Sequence, residues 1–415
     1  MKAMDVFTPG GFPSHTFVDD HLLDKEQQLQ DALAMGNMLI SISGPSKSGK
    51  TVFVKKVLGT QHLIEITGAG IKKPDDLWMR IFDMLGTPIS QTQSGTRTTT
   101  INATGKVSGE TNLLVAKGGM EGSMGGAFAS AKQTTESFSV DLLQLLKDEI
   151  GNTDFVVFID DFHYINKEVQ AELARQIKDA ISYGCKFICA SVPYHSDDVI
   201  RANSDLRGRI FKIDFDYWDQ KNLKRIAEKG FRLLNVTSEP KALENLIAES
   251  AGSPQLMQYL CLNSCLEIGV RETSSNPILY NDDPLLLEKV CKRTLLSADY
   301  GSIVDKMREG PKIRGSDRKS YLSIDSKWQG DVYVFLLKAI ALNPPTLTFR
   351  YTELTNRVNS LCLGDSPSGS SVTSACLHSC AIANTAAGNS IIEWDQENDV
   401  LDIRDPYLLF FLRWV

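Results

Sequence analysis

The octet Gly44-Pro45-Ser46-Lys47-Ser48-Gly49-Lys50-Thr51 constrains this chain more than any other feature. It matches G-x-x-x-x-G-K-[ST] and stands between a short apolar run, Met38–Ser43, and a stretch at helical spacing, Thr51–Leu58. A strand, a glycine-rich turn and a helix N-terminus in that order aim backbone N–H groups and the positive end of a helix dipole at one spot. A phosphate chain suits such a spot. Lys50 would reach the β- and γ-phosphates, and Thr51 would ligate Mg²⁺ through its hydroxyl. Gly44, Pro45, Ser46, Lys47, Ser48, Gly49 and Val52 would frame the bound group. The bland alternative is a glycine-rich turn that holds nothing.

Such a loop needs an acidic residue at the end of a neighbouring buried strand. Phe155–Ile159 (FVVFI) followed by Asp160 and Asp161 supplies it. Asp160 would hold Mg²⁺, usually through water, and Asp161 would polarise the attacking water. The alternative is a strand that merely meets solvent at two aspartates.

The pattern around these motifs predicts a parallel α/β unit covered on both faces. Further strands are expected at His62–Thr67, Lys186–Val192 and Ile210–Phe215, with helices at Pro74–Leu85, Val140–Ile150 and Val169–Ser182. Thr87 to about Phe138 breaks the rhythm. It is rich in Thr, Ser and Gly and reads either as a β-hairpin insertion or as a mobile loop. After Asp216 the chain turns helical: Gln220–Leu234, Lys241–Ser250, Pro254–Ile268 and Leu285–Met307, with a polar loop at Thr273–Pro284. Arg308–Lys319 reads as a linker. Helices at Gly330–Leu342, Tyr351–Leu361 and Ser370–Ala387 precede two strand-like runs, Ile391–Trp394 and Val400–Ile403. Helix, helix, helix, hairpin is the order of a winged helix-turn-helix. The expected division is therefore a P-loop unit at 1–215, a helical lid at 216–307 and a winged helix at 320–415.

Charge and composition narrow the function classes. The formal charge of −7 gives no global basic field to draw in nucleic acid or an anionic membrane. The eight cysteines lack zinc-site spacing and read as reduced core thiols. Met1–Pro13 is not a signal peptide, and no window approaches the roughly 18–20 apolar residues of a membrane span. A cytoplasmic protein without membrane contact is expected.

On these motifs the sequence resembles AAA+ ATPases, especially the origin-recognition-like and STAND branches, over roughly residues 15–300. Thr16-Phe17-Val18-Asp19-Asp20 resembles the box these families place ahead of the first strand, which implies Phe17 and Val18 as adenine contacts. Ser191 stands at the position of their polar sensor. Asp205-Leu206-Arg207-Gly208-Arg209-Ile210 places arginines where a neighbouring subunit's finger is expected: Arg209 first, Arg207 second. A surface arginine paired with a carboxylate is the competing reading. Gly252-Ser253-Pro254 resembles the lid motif of STAND proteins and implies Pro254 as a nucleotide contact, although Ser-Pro also simply starts helices. Asp161, where many AAA+ proteins carry glutamate, also fits the STAND pattern and implies slow hydrolysis. The ending, Asp402–Trp414, resembles the winged-helix terminus of archaeal-type STAND ATPases, and its aromatics read as core before docking surface.

The resemblance implies an ATP- and Mg²⁺-dependent regulatory ATPase that forms homo-oligomers and controls a separate effector protein, for which a bacterial defence system is one setting. The alternative is a DNA-binding ATPase of the origin-recognition or transposition-regulator type. Its recognition helix is poor, since Tyr351–Leu361 offers only Arg350 and Arg357 nearby, and Ser370–Ala387 offers no basic residue. A third reading, a polypeptide-threading remodeller, lacks an aromatic pore loop.

Overall fold

The computed structural model describes residues 1–87, 141–192, 206, 208–296, 299–312 and 317–415. The expected insertion, Thr87 to about Phe138, lies outside the described residues apart from Thr87 itself, and so does Arg207. Five strands form the central sheet: β1 (Leu39–Ser43), β2 (Leu63–Thr67), β3 (Val156–Asp160), β4 (Lys186–Ser191) and β5 (Ile210–Asp214). Their order is β2-β3-β4-β1-β5, and every neighbouring pair is parallel.

The pleat explains why these strands carry apolar runs without polar alternation. Ile40, Ile42, Phe158, Ile188 and Ala190 point into one core with Phe53. Their chain neighbours Leu39, Val157, Ile159, Phe187 and Cys189 point into another, with Trp78, Leu146, Leu173 and Ile177. Both faces are covered, as parallel sheets require. Because all strands run the same way, Ser43, Thr67, Asp160 and Ser191 end at one edge, where ligands of open α/β sheets bind.

A second core follows β5. Helices Gln220–Leu234, Pro240–Glu249, Pro254–Glu267 and Pro284–Leu295 surround it, and the N-terminal residues Ala3, Val6, Phe7 and Val18 pack into it too. Gly230 admits Phe7 by lacking a side chain, since a Cβ there would lie 2.1 Å from Phe7 Cζ. The polar loop Thr273–Pro284 contains a strand, Ile278–Tyr280, paired in parallel with Val236–Ser238.

The single helix expected over Leu285–Met307 is instead two, Pro284–Leu295 and Gly301–Glu309. Val290 and Cys291 pack in the second core, whereas Ile303, Val304 and Met307 pack in a third.

That third core lies among helices Gly301–Glu309, Val332–Ile340, Tyr351–Ser360 and Gly369–Ala387. A three-stranded antiparallel sheet closes it, with Val400–Ile403 between Thr348–Arg350 and Ile392–Asp395. The last helix, Pro406–Trp414, bridges two cores: Leu408 and Leu409 enter the third, Tyr407 and Phe410 the second. Its aromatic residues Tyr407 and Phe410 are therefore core, as expected. All eight cysteines are buried and unpaired. No helix among the described residues is long and apolar enough to cross a membrane.

Candidate functional site

The turn after β1 is shaped by close approach. A Cβ on Gly44 would lie 2.4 Å from Phe215 Cβ, so only glycine lets the loop leave the sheet here. Gly49 sits in the left-handed region at φ 97 just before helix Lys50–Leu58 starts, which suits glycine. Lys47 also has positive φ, at 61.

Lys50 is 8% exposed, and its Nζ donates to the carbonyls of Gly44 and Pro45, at 2.8 Å each. Burial pushes its ammonium down to about 8, against the pull of the Asp160 and Asp161 charges. A buried cation with weak partners is poised for an anion. Thr51 Oγ1 donates to Asp160 Oδ2 at 2.5 Å, which joins the two sequence motifs across the edge of the sheet. The other Asp160 oxygen accepts the Asp161 N–H at 2.9 Å.

Asp161 follows in a left-handed conformation, φ 54. Burial, reinforced by the Asp160 charge, raises its carboxyl above the usual range, while Lys50 works the other way. Gly68, at the end of β2, is what lets Asp161 sit there: a Cβ would meet the Asp161 carbonyl oxygen at 2.5 Å.

These groups open on a cavity of 680 Å³. Lys47, Lys50, Thr51, Asp160 and Asp161 give it polar walls, and Phe17, Val18, Leu22, Ile226 and Pro254 give it apolar ones. That mixture fits a ligand with a charged end and a flat apolar end. Ser46, Gly49 and Val52 also line it. Gly44, Pro45 and Ser48 do not line it, and among the described residues the buried Ser48 Oγ has no hydrogen-bond partner. Pro254 occupies the first turn of its helix, where Ser253 Oγ caps the Leu256 N–H at 3.2 Å.

Two expected residues stand apart. Ser191 ends β4 beside Ser43, and its carbonyl accepts the Gly44 N–H at 3.3 Å, but the cavity wall takes Val192 in its place. Arg209 precedes β5 at the opposite edge of the sheet from the phosphate loop, level with the start of β1. Its exposed guanidinium donates to Ser182 Oγ at 3.0 Å.

Sequence reasoning missed several wall residues. Trp218 lines the cavity and donates its indole N–H to the Ser48 carbonyl at 3.0 Å. The segment Thr8–Pro13 covers the cavity and is tied to helix Pro254–Glu267, through Gln255 to the Pro9 carbonyl (2.8 Å) and Gln258 to the Thr8 N–H (3.3 Å). Tyr300, Asn389 and Asp405 reach the same cavity from far along the chain. Asn389 Nδ2 donates to the Tyr164 hydroxyl at 3.0 Å. The only usable signal for these was Asp405-Pro406, a helix-start pair ahead of an apolar run.

No family model matches the chain, and no curated protein matches it. Among solved structures it is similar to the Walker-type ATPase PABY2304 of Pyrococcus abyssi, at 17% identity, 96% of each chain covered and a TM-score of 0.52. It is also similar to the ORC2 protein of Aeropyrum pernix, solved in ADPNP–ADP complexes, at 13% identity over 98% of this chain and 96% of that one, with a TM-score of 0.51. At such identities a likeness shows the fold alone. The parallel central sheet, its flanking helices and the glycine-rich turn after β1 give this chain the α/β fold that these structures share.

Proposed function

We propose that the chain is a regulatory ATPase that binds ATP with Mg²⁺ in the 680 Å³ cleft, hydrolyses it slowly and passes its nucleotide state to a partner. One observation carries the reading: the phosphate-loop hydroxyl of Thr51 meets the carboxylate of Asp160 at 2.5 Å beside the buried Lys50. Two motifs found independently in the sequence thus form one charged site.

The residues present suit both groups. Thr51 and Asp160 offer a hydroxyl and a carboxylate, hard oxygen donors of the kind Mg²⁺ takes. When bound, Mg²⁺ would neutralise phosphate charge. Lys50 would exchange its two carbonyl partners for phosphate oxygens, and Phe17, Val18 and Pro254 would pack the adenine. Asp161, whose carboxyl is held above the usual range by burial, would orient and polarise the attacking water. The aspartate side chain is short, which favours a slow switch over a motor.

The nucleotide would drive homo-oligomerisation, with Arg209 (or Arg207) entering a neighbouring copy's site. Arg209 cannot serve its own cleft from the far edge of the sheet, so any role in hydrolysis is in trans. We assign residues 1–215 to the P-loop unit, 216–307 to the lid and 320–415 to a winged helix, the arrangement of the STAND branch, with two crossings: Ala3, Val6, Phe7 and Val18 pack with the lid, and helix Gly301–Glu309 packs with the winged helix. Three helices with a three-stranded sheet around one core support the last of these. The DNA-binding alternative draws no support from this unit: helix Gly369–Ala387 has no lysine or arginine and buries Val372, Cys376 and Ala383.

Titration with ATP–Mg²⁺ and with the Lys50→Ala variant tests the reading. Wild-type binding with at least tenfold loss in the variant is expected, and binding unaffected by the substitution would overturn it.

A further inference from the structure

Two phenols line the cleft, and they are not equivalent. Tyr300 donates its hydroxyl proton to Asp405. Tyr164 accepts at its oxygen from Asn389 Nδ2 at 3.0 Å, and among the described residues its own hydroxyl proton has no acceptor. Local structure fixes this ring beside the acidic pair. Tyr164 closes the turn Phe162–Tyr164, and its backbone N–H donates to the Asp161 carbonyl at 3.0 Å. Phe162 and Ile165, on either side of His163 and Tyr164, are buried, and the buried Gln170 amide donates to both their carbonyls, at 3.3 and 2.9 Å. The His163 ring packs on the Tyr164 ring with centroids 4.4 Å apart. A phenol presented from so anchored a turn pays less ordering cost when it meets a ligand. Burial, with the charges of Asp161, Asp405 and Asp160, raises the phenol above its ordinary range, against the Asn389 bond, so the group stays a donor.

The charges around it leave a donor wanting. No arginine lines the cleft among the described residues. Of its three lysines, Lys47 is held by Asp405 at 2.9 Å and Lys55 by Glu65 at 2.7 Å. Lys50 alone bonds carbonyls rather than a carboxylate. Charge gathering on a phosphoryl group in transit is stabilised by donors already aimed at it, and neutral ones serve as well as charged ones.

We propose that Tyr164 is a catalytic residue for hydrolysis: its phenol donates to an oxygen of the γ-phosphoryl group and stabilises the charge gathered there in the transition state. A water oxygen bonds to the γ-phosphorus while the bond from phosphorus to the β–γ bridging oxygen breaks, and that electron pair stays on ADP. One water proton leaves through Asp161 to solvent, and the other stays on the released phosphate. Tyr164 keeps its own proton throughout. The inference rests on the nucleotide reading of this cleft.

Tyr164→Phe removes the oxygen and keeps the ring. The test pairs single-turnover hydrolysis with calorimetric titration of ADP–Mg²⁺, with and without aluminium fluoride as a mimic of the phosphoryl group in transit. Wild type should bind ADP more tightly when the fluoride is present. The variant should hold its ADP affinity within about twofold, lose most of the fluoride gain and hydrolyse about 10²-fold more slowly, as removal of one transition-state donor does. Hydrolysis and fluoride gain unchanged in the variant, or an equal loss of ADP affinity and rate, would overturn the inference while leaving the nucleotide reading intact. So would a wild type that binds ADP but shows neither turnover nor fluoride gain. If the wild type binds no nucleotide, the nucleotide reading itself fails.

Discussion

Trp218 donates its indole N–H to the Ser48 carbonyl at 3.0 Å, so a residue just beyond the end of β5 holds the phosphate loop. The backbone N–H of Trp218 bonds the Gly252 carbonyl at 2.9 Å, and the Tyr217 hydroxyl bonds the Ile403 carbonyl at 3.0 Å. Two consecutive residues therefore tie the loop to the turn before helix Pro254–Glu267 and to the strand Val400–Ile403. Any change in the loop must be felt in both.

Trp218→Phe should weaken nucleotide binding severalfold without unfolding the protein. A single neutral hydrogen bond is worth about 1 kcal/mol net, and phenylalanine retains most of the packing against His21, whose ring centroid lies 4.3 Å away. Equilibrium titration of wild type and variant reads the change; an unaltered affinity would mean that the indole contact does not shape the loop.

Alkaline pH should destabilise the fold through its thiols. Burial pushes Cys185 up to about 11 and Cys189, Cys265 and Cys376 up to about 12, from an ordinary value of 9.0. Between those limits the unfolded chain gives up protons that the folded one retains, so stability falls as pH rises through 9 toward 12. Each thiol contributes a loss of about 1.4 kcal/mol by pH 10. Lys50 acts with the opposite sign between about 8 and 10.5, because the folded state sheds its proton first, but it is one group against several. Urea midpoints measured from pH 8 to pH 10 should fall, and thiol reagents should label the native protein only as it opens.

Asp161→Asn should separate binding from turnover. Among the described residues the Asp161 side chain makes no hydrogen bond to the phosphate loop, so nucleotide affinity should change less than hydrolysis, which should fall about 10²–10⁴-fold. Gly68→Ala should reach the same phenotype indirectly, since its Cβ would meet the Asp161 carbonyl oxygen at 2.5 Å and displace the residue. Single-turnover hydrolysis alongside titration distinguishes the two parameters; equal loss of both would place Asp161 in binding.

The sheet and the phosphate loop were legible in the sequence because local signals carry them. A buried apolar run, a glycine turn and a helix onset need only some 20 consecutive residues, and Phe155–Asp161 announces its strand the same way. The C-terminal half of the cleft was illegible for the opposite reason. Asp405 meets Lys47 across 358 positions and Asn389 meets Tyr164 across 225, and no pattern in either segment marks its partner. The overlong helix at Leu285–Met307 failed similarly: its apolar spacing is continuous, and only the existence of two separate cores tells where it must break. Val192 replacing Ser191 on the wall shows the one-residue limit of placing a strand end.

The buried ion pair of Glu249 and Arg413 should govern how firmly the last helix is seated. Both side chains are 7% exposed, and Arg413 donates to Glu249 at 3.0 and 2.6 Å while Trp414 donates to the same carboxylate at 2.7 Å. Arg413 also caps the Ala341 carbonyl at 2.7 Å, joining helix Pro240–Glu249 to helix Val332–Ile340. Removing one partner leaves a buried charge uncompensated, so Arg413→Met should cost about 3–5 kcal/mol, read as a lower urea midpoint. The double variant Glu249→Met with Arg413→Met should recover much of that loss, since no lone charge remains. Failure of the double variant to recover would mean that the Ala341 and Trp414 contacts, rather than the charge pair, hold the helix.

Arg209 offers the sharpest test of assembly. It stands at the sheet edge opposite its own phosphate loop, with its exposed guanidinium bonded to Ser182 Oγ, so its loss should leave nucleotide binding by the monomer unchanged. In an assembly it would instead face the next copy's cleft, where an arginine is worth a rate factor of about 10³–10⁵ in comparable phosphoryl transfer. Mass measured by light scattering with and without ATP–Mg²⁺ should rise for the wild type, and hydrolysis per site should rise with protein concentration. Arg209→Ala should keep the affinity and lose the concentration dependence. A wild-type chain that binds ATP yet remains a monomer, with turnover per site independent of concentration, would remove the trans arginine and leave hydrolysis to the residues of a single cleft.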